Sequence, residues 1–165
     1  MKGLENTTYL IGYIISNIVG VLYLWTAIKK PKLSRLMFVI LFGWACWFNF
    51  TSARNEPEIY LTYGGMSFKL YSDFINSQFK DQITVIVTMI SIGQGLIALG
   101  MLLNGWWVRI ACIGAIIFLI CIAPLGVGSA FPFSITVSLA AIFILKKDDL
   151  NYLWKFKVNK NKFSK

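Results

Sequence analysis

The chain has 165 residues, 57% of them apolar and only 14% charged, with a mean hydropathy of +0.66. Soluble domains carry about 25% charged residues, so this composition excludes an ordinary soluble globule and a disordered chain and places the protein in lipid. Sixteen basic and seven acidic residues give a net charge of +9. The positive charge flanks apolar runs and no nucleic-acid motif accompanies it, which points to membrane orientation and lipid headgroups, not nucleic acid.

Tyr9 to Ile28 form twenty consecutive uncharged residues, the length that crosses a hydrocarbon core. Lys29, Lys30, Pro31 and Lys32 end the run. Basic residues follow it instead of leading it and no cleavage signature is present, so a retained anchor is expected over about 9–28. A second span, about 36–53, lies between Arg35 and Arg54. Residues 54–81 are the one sizeable polar stretch, expected to form an outer loop. Within it Phe68, Tyr71, Ile75 and Phe79 recur at helical spacing, which predicts a short amphipathic helix at the interface. Gly64-Gly65 marks a turn before it.

From Gln82 to Leu145 the only charge is Arg109. Asn104-Gly105 breaks this stretch after a third span, about 82–103. The uncharged run Ile110 to Leu145 would be about 54 Å long as a single helix, too long for one crossing. Pro124, Gly126, Gly128 and Pro132 divide it into a fourth span, about 107–123, and a short fifth, about 129–145. Residues 146–165 form a basic tail in which Leu150, Leu153 and Trp154 share a helical face, open to two readings: a solvated tail or an interfacial helix on an anionic leaflet. The expected fold is therefore all-α, a five-span transmembrane bundle in one domain, 1–145, followed by the tail.

With the N-terminus outside, the inner side holds Lys29, Lys30, Lys32, Arg35, Arg109 and the seven tail lysines, and the outer side holds Lys2, Arg54, Lys69 and Lys80. That distribution predicts an outside N-terminus and a cytoplasmic C-terminus in the cell membrane.

Chemistry is sparse. Histidine is absent, which removes histidine-ligated metal and haem sites and histidine-based catalysis. Cys46, Cys112 and Cys121 form no CxxC pair and read as small buried apolar residues. No nucleophile–base pair, phosphate loop or metal-ligand cluster is visible, so no catalytic or metal residue is assigned. Gly12, Ser16 and Gly20 lie four apart and read as a helix-packing ladder, as do Gly93 and Gly95. Between the latter, Gln94 carries a mid-span amide that needs a partner, as do Asn17 and Asn49. The candidate ligand-binding residues are Arg54, Glu56, Tyr71 and Asp73 in the outer loop, with Gln94 below them. Arg54 can reach a carbonyl or an anionic headgroup, and Asp73 can fix it by an ion pair.

Residues 33–145 resemble the DoxX-like family of small membrane proteins. The likeness rests on Pro57, Tyr60, Tyr71, Asp73 and Phe74 in the loop, on Gly93-Gln94-Gly95 through Gly100-Met101-Leu102-Leu103, and on Asn104-Gly105-Trp106-Trp107-Val108-Arg109. The resemblance implies a four-helix membrane core, to which the first span is extra, and a link in some members to quinone-dependent sulfur oxidation. The expected function is a non-catalytic subunit or a binding protein for a lipophilic ligand, with a quinone as the implied cofactor, or for a partner membrane protein or a second copy. Membrane lipids, and anionic headgroups at the tail, are further expected partners. The alternatives are a small transporter or channel, which the lack of repeats and intramembrane charges disfavours, and an immunity protein against a membrane-active peptide.

The topology is testable in a cysteine-free background. An impermeant thiol reagent on intact cells should label Ser67→Cys and not Ser164→Cys; the reverse pattern contradicts the orientation.

Overall fold

The computed structural model describes residues 4–155. Six α-helices carry the chain: α1 (Thr7–Lys29), α2 (Pro31–Asn55), α3 (Lys69–Phe74), α4 (Ile83–Leu102), α5 (Trp106–Ile122) and α6 (Phe133–Lys147). There is no strand among the described residues. Four stretches are long and apolar enough to cross a membrane: α1, α2, the continuous helical stretch Lys69–Leu102 and Trp106–Ser129. The fifth expected span, 129–145, corresponds to α6 over Phe133–Lys147. At 15 residues it is about 22 Å long, shorter than a hydrocarbon core of about 30 Å.

Local chemistry sets the helix limits. Asn6 caps α1 by accepting a hydrogen bond from the Thr8 amide at 2.9 Å. A single non-helical residue, Lys30, separates α1 from α2, and Pro31 opens α2 where a missing N–H costs nothing. α2 runs from Pro31 to Asn55, beyond the expected 36–53, because Arg35 is inside the helix and does not end it. After α5 the chain makes a 3-10 turn, Ala123–Ser129. Gly126 (φ 62°) and Ala130 (φ 53°) reverse it there, which moves the start of α6 to Phe133.

The loop differs from expectation in one respect. Phe68, Tyr71, Ile75 and Phe79 do not share one isolated amphipathic helix. α3 passes through a π turn, Ile75–Phe79, and a 3-10 turn, Lys80–Gln82, directly into α4. Ile75 and Phe79 are buried in a second, smaller core with Ala53, Tyr60, Ile83 and Val87, whereas Phe68 is exposed. The helical reading of the tail around Leu150, Leu153 and Trp154 is also overturned: 148–155 is non-helical, and residues 156–165 lie outside the described part. The reason is Asp148, whose carboxylate and extended backbone end α6 (below).

α2 packs along α4, α1 along α6, and α5 contacts both α4 and α6. Lipid offers apolar side chains no incentive to leave it, so helices meet through close backbone approach and polar bonds. α6 accordingly buries Ser134, Ser138, Ala140 and Ala141 together with Val137 and Ile144. Ile11, Ile15, Ile18, Leu96, Leu99 and Ile117 face outward. Asn17 ties α1 to the turn before α6, its amide donating to Ala130 O at 3.1 Å.

The packing ladder is only partly realised. A Cβ on Gly20 would lie 3.0 Å from the Phe133 ring, and one on Gly95 would lie 3.1 Å from Cys46 Sγ. Gly12 and Gly93 meet nothing within 4 Å, so the ladder points toward lipid at Gly12. Ser16, between Gly12 and Gly20, is half-buried. The tightest approach on these helices was missed: a Cβ on Gly100 would come within 2.7 Å of Ala111 Cβ and 3.1 Å of Trp107 O. Gly100→Leu should therefore lower thermal stability in detergent by about 1–3 kcal/mol or more, while Gly12→Leu stays within about 0.5 kcal/mol. Equal losses would contradict this packing.

Candidate functional site

The bundle has two polar ends. The loop end comprises the helix starts and turns around 56–82 and 123–132. The basic end gathers Lys29, Lys30, Lys32, Arg35, Arg109, Lys146 and Lys147 at helix termini or, for Arg109, in the first turn of α5.

At the loop end, the two turns converge. Tyr71 Oη donates to Cys121 O at 2.7 Å, and the Phe68 amide donates to Pro124 O at 3.1 Å. Glycine permits the close contact: a Cβ on Gly126 would sit 2.8 Å from Met66 O, and one on Gly128 would sit 2.6 Å from the Tyr63 ring. Tyr71 thus holds the loop against the end of α5. Arg54 and Asp73 are both exposed and are not brought together. Arg54 Nη1 donates to Phe50 O at 2.8 Å and its guanidinium lies 3.5 Å from the Phe50 ring centroid. Among the described residues the ion pairs are Arg35–Asp148 and Lys32–Asp149, so the expected Arg54–Asp73 pair is absent. The cause is local: Arg54 folds back onto its own helix. Glu56 is exposed at the end of α2, where its amide bonds Ser52 O.

Gln94 is the site residue with a built environment. It is buried in the seam between α2 and α4, and its Oε1 accepts a hydrogen bond from Asn49 Nδ2 at 2.9 Å. Asn49 Oδ1 in turn accepts from Tyr60 Oη at 2.9 Å. A relay of three side chains therefore links the loop-end turn, at Tyr60, to the α2–α4 seam. The Gln94 NH2 donates to no acceptor among the described residues, so the relay ends in two spare donors. Tyr60 is held by burial, which, with Tyr63 beside it, pushes its hydroxyl up to about 12.

The basic end contains the most elaborate polar arrangement, and sequence reasoning treated its members as flanking charges. Arg35 is fully buried. Its Nε and Nη2 donate to Met101 O at 3.1 and 2.7 Å, and Nη2 also donates to Leu103 O at 2.8 Å. Its Nη1 donates to Asp148 Oδ1 at 2.9 Å and to Asn151 O at 2.8 Å. All five guanidinium N–H groups are thus satisfied. Two acceptors are carbonyls at the end of α4, where helices leave carbonyls unpaired and the dipole is negative. Asp148 Oδ1 also caps the Leu150 amide at 2.7 Å, and Leu150 O accepts from the Gly105 amide at 2.7 Å. One signal was available: Asp148 and Asp149 are the only acids on a side rich in lysine.

Among the described residues no group of His, Cys, Asp or Glu could hold a metal ion. No family model matches the chain, and no curated protein and no solved structure matches it.

The relay makes two measurable statements. Asn49→Leu strands the Tyr60 hydroxyl and the Gln94 carbonyl and should cost about 1–3 kcal/mol, more than Asp73→Asn, which should stay within about 0.5 kcal/mol. Because the Tyr60 hydroxyl ionises at a higher pH when folded, its contribution is complete below pH 10 and is lost as pH rises through about 12. Tyr60→Phe should remove that part of the alkaline loss in a denaturation series; an unchanged profile contradicts the assignment.

Proposed function

We propose that this chain is a non-catalytic, DoxX-like integral membrane protein that binds a lipophilic molecule with a hydrogen-bonding head, of the quinone class, in the seam between α2 and α4. The observation that carries the reading is the Tyr60–Asn49–Gln94 relay with its two spare donors on Gln94. A carbonyl arriving from the lipid would give the Gln94 NH2 an acceptor that the described residues do not supply. The apolar flank of the seam suits the rest of such a ligand. In this reading α6 completes a fifth crossing, with the N-terminus outside and the tail cytoplasmic in the cell membrane. The concentration of basic residues at one end supports that orientation. Any redox chemistry belongs to a partner membrane protein.

The test uses purified protein in detergent and a short-chain ubiquinone analogue, followed by tryptophan fluorescence quenching. Gln94→Leu should weaken binding about tenfold, the equivalent of about 1.4 kcal/mol, with folded yield retained. Asp73→Asn and Arg54→Ala should leave binding unchanged. Identical affinity for wild type and Gln94→Leu, or no saturable quenching, overturns the proposal.

A further inference from the structure

At the basic end, a groove of about 360 Å³ runs between the α1–α2 link and the end of α6. Its walls are Lys30, Lys32 and Lys147, the apolar residues Pro31 and Leu33, and the acids Asp148 and Asp149. Three observations bear on what it holds. The first is unmatched charge. Lys32 is engaged with Asp149 at 3.3 Å, but neither Lys30 nor Lys147 is in an ion pair among the described residues. Lys147 Nζ makes a long contact, 3.5 Å, with Ile28 O and lies 5.7 Å from the Phe143 ring centroid. The second is an orphaned acceptor. The Asp148 side chain is fully buried, and while Oδ1 serves Arg35 and Leu150, Oδ2 has no hydrogen-bond donor. A buried carboxylate oxygen without a donor is costly. The third is a continuous apolar track. Leu33 in the groove wall is followed by Leu36 and Ile40, three and four residues on, so all three lie on one face of α2. They are 42%, 45% and 63% exposed.

Two ammonium groups outside any ion pair among the described residues, one acceptor in need of a donor and an apolar track leading away into lipid match an amphiphile with a phosphate and a headgroup hydroxyl. We infer that this groove binds one anionic phospholipid of the phosphatidylglycerol type. Its phosphate sits between Lys30 and Lys147, an acyl chain follows Leu33, Leu36 and Ile40, and its glycerol hydroxyl donates to Asp148 Oδ2 after displacing the residues that now cover that oxygen. The site is distinct from the α2–α4 seam and does not depend on its reading. It also differs from a diffuse attraction of the tail lysines, because it requires two particular lysines. The bound lipid would brace the α1–α2 link against the end of α6, beside the Arg35–Asp148 pair.

The experiment measures the thermal midpoint of the full chain in neutral detergent with added phosphatidylglycerol, phosphatidic acid, phosphatidylcholine or inorganic phosphate. Native mass spectrometry counts the bound lipid. Phosphatidylglycerol should raise the midpoint with one molecule retained, and phosphatidic acid, which lacks the headgroup hydroxyl, should do so less. Phosphatidylcholine and inorganic phosphate should have no effect. The double variant Lys30→Gln/Lys147→Gln, whose altered side chains are exposed, should match wild type without lipid and require at least about tenfold more phosphatidylglycerol for the same shift. Lys29→Gln/Lys146→Gln, with the same change in charge outside the groove, should respond like wild type. The inference is overturned if both double variants lose the response equally, if Lys30→Gln/Lys147→Gln keeps it, or if phosphatidylcholine or inorganic phosphate reproduces it. Equal shifts with phosphatidic acid overturn the Asp148 contact.

Discussion

A guanidinium buried among helix ends has to be satisfied completely or not be there, because an unpaired charge in a low-dielectric setting costs several kcal/mol. Arg35 meets that condition with five hydrogen bonds to four residues on two stretches of chain. Its position near the start of α2 determines what must surround it. The end of α4 has to present Met101 O and Leu103 O. The chain after α6 must leave the helix at Asp148 and pass beneath α4, which is why 148–151 is not helical. Leu150 O then fixes the Gly105 amide, and with it the α4–α5 link. One residue therefore registers α2, α4, α5 and the end of α6 at the basic end.

The loop end is organised by weaker and more numerous contacts. Tyr71, the Phe68 amide and the close approach of Gly126 and Gly128 hold the loop against the turn before α6. Asn17 fixes the same turn to α1. Between the two ends lies the α2–α4 seam, where Cys46 against Gly95 allows the helices to approach. The Tyr60–Asn49–Gln94 relay crosses it. The rigid basic end sets the spacing of α2 and α4, and the relay depends on that spacing, because its hydrogen bonds form only over a narrow range of distance.

Long apolar runs are legible in sequence because lipid demands them, so α1, α2, α4 and α5 fall within a few residues of expectation. The break at Pro124 to Pro132 was equally readable from its glycines and prolines. What failed were statements about direction. A glycine ladder shows that close packing is possible, not which face the neighbour occupies, and Gly12 and Gly93 face open space. Arg54 and Asp73 carry suitable charges, but their partners depend on rotamers that keep Arg54 on Phe50. Gln94 was identified correctly as a residue needing a partner, while its link through Asn49 to Tyr60 required the fold. Arg35 and Asp148 are 113 residues apart, and nothing local distinguishes a buried arginine from one that snorkels.

The central claim is that Arg35 and Asp148 act together as the register of the bundle. A double-mutant cycle of Arg35→Met, Asp148→Leu and the double variant, followed by unfolding in detergent, tests it most directly, with Arg35→Lys and Asp148→Asn as milder replacements where a single variant gives little folded protein. Each single change leaves a buried charge without its partner, so each should cost about 3–5 kcal/mol, and the double variant should cost less than their sum by more than about 1 kcal/mol. Losses that add to within about 0.3–0.5 kcal/mol would show that the two residues act independently and would contradict the account.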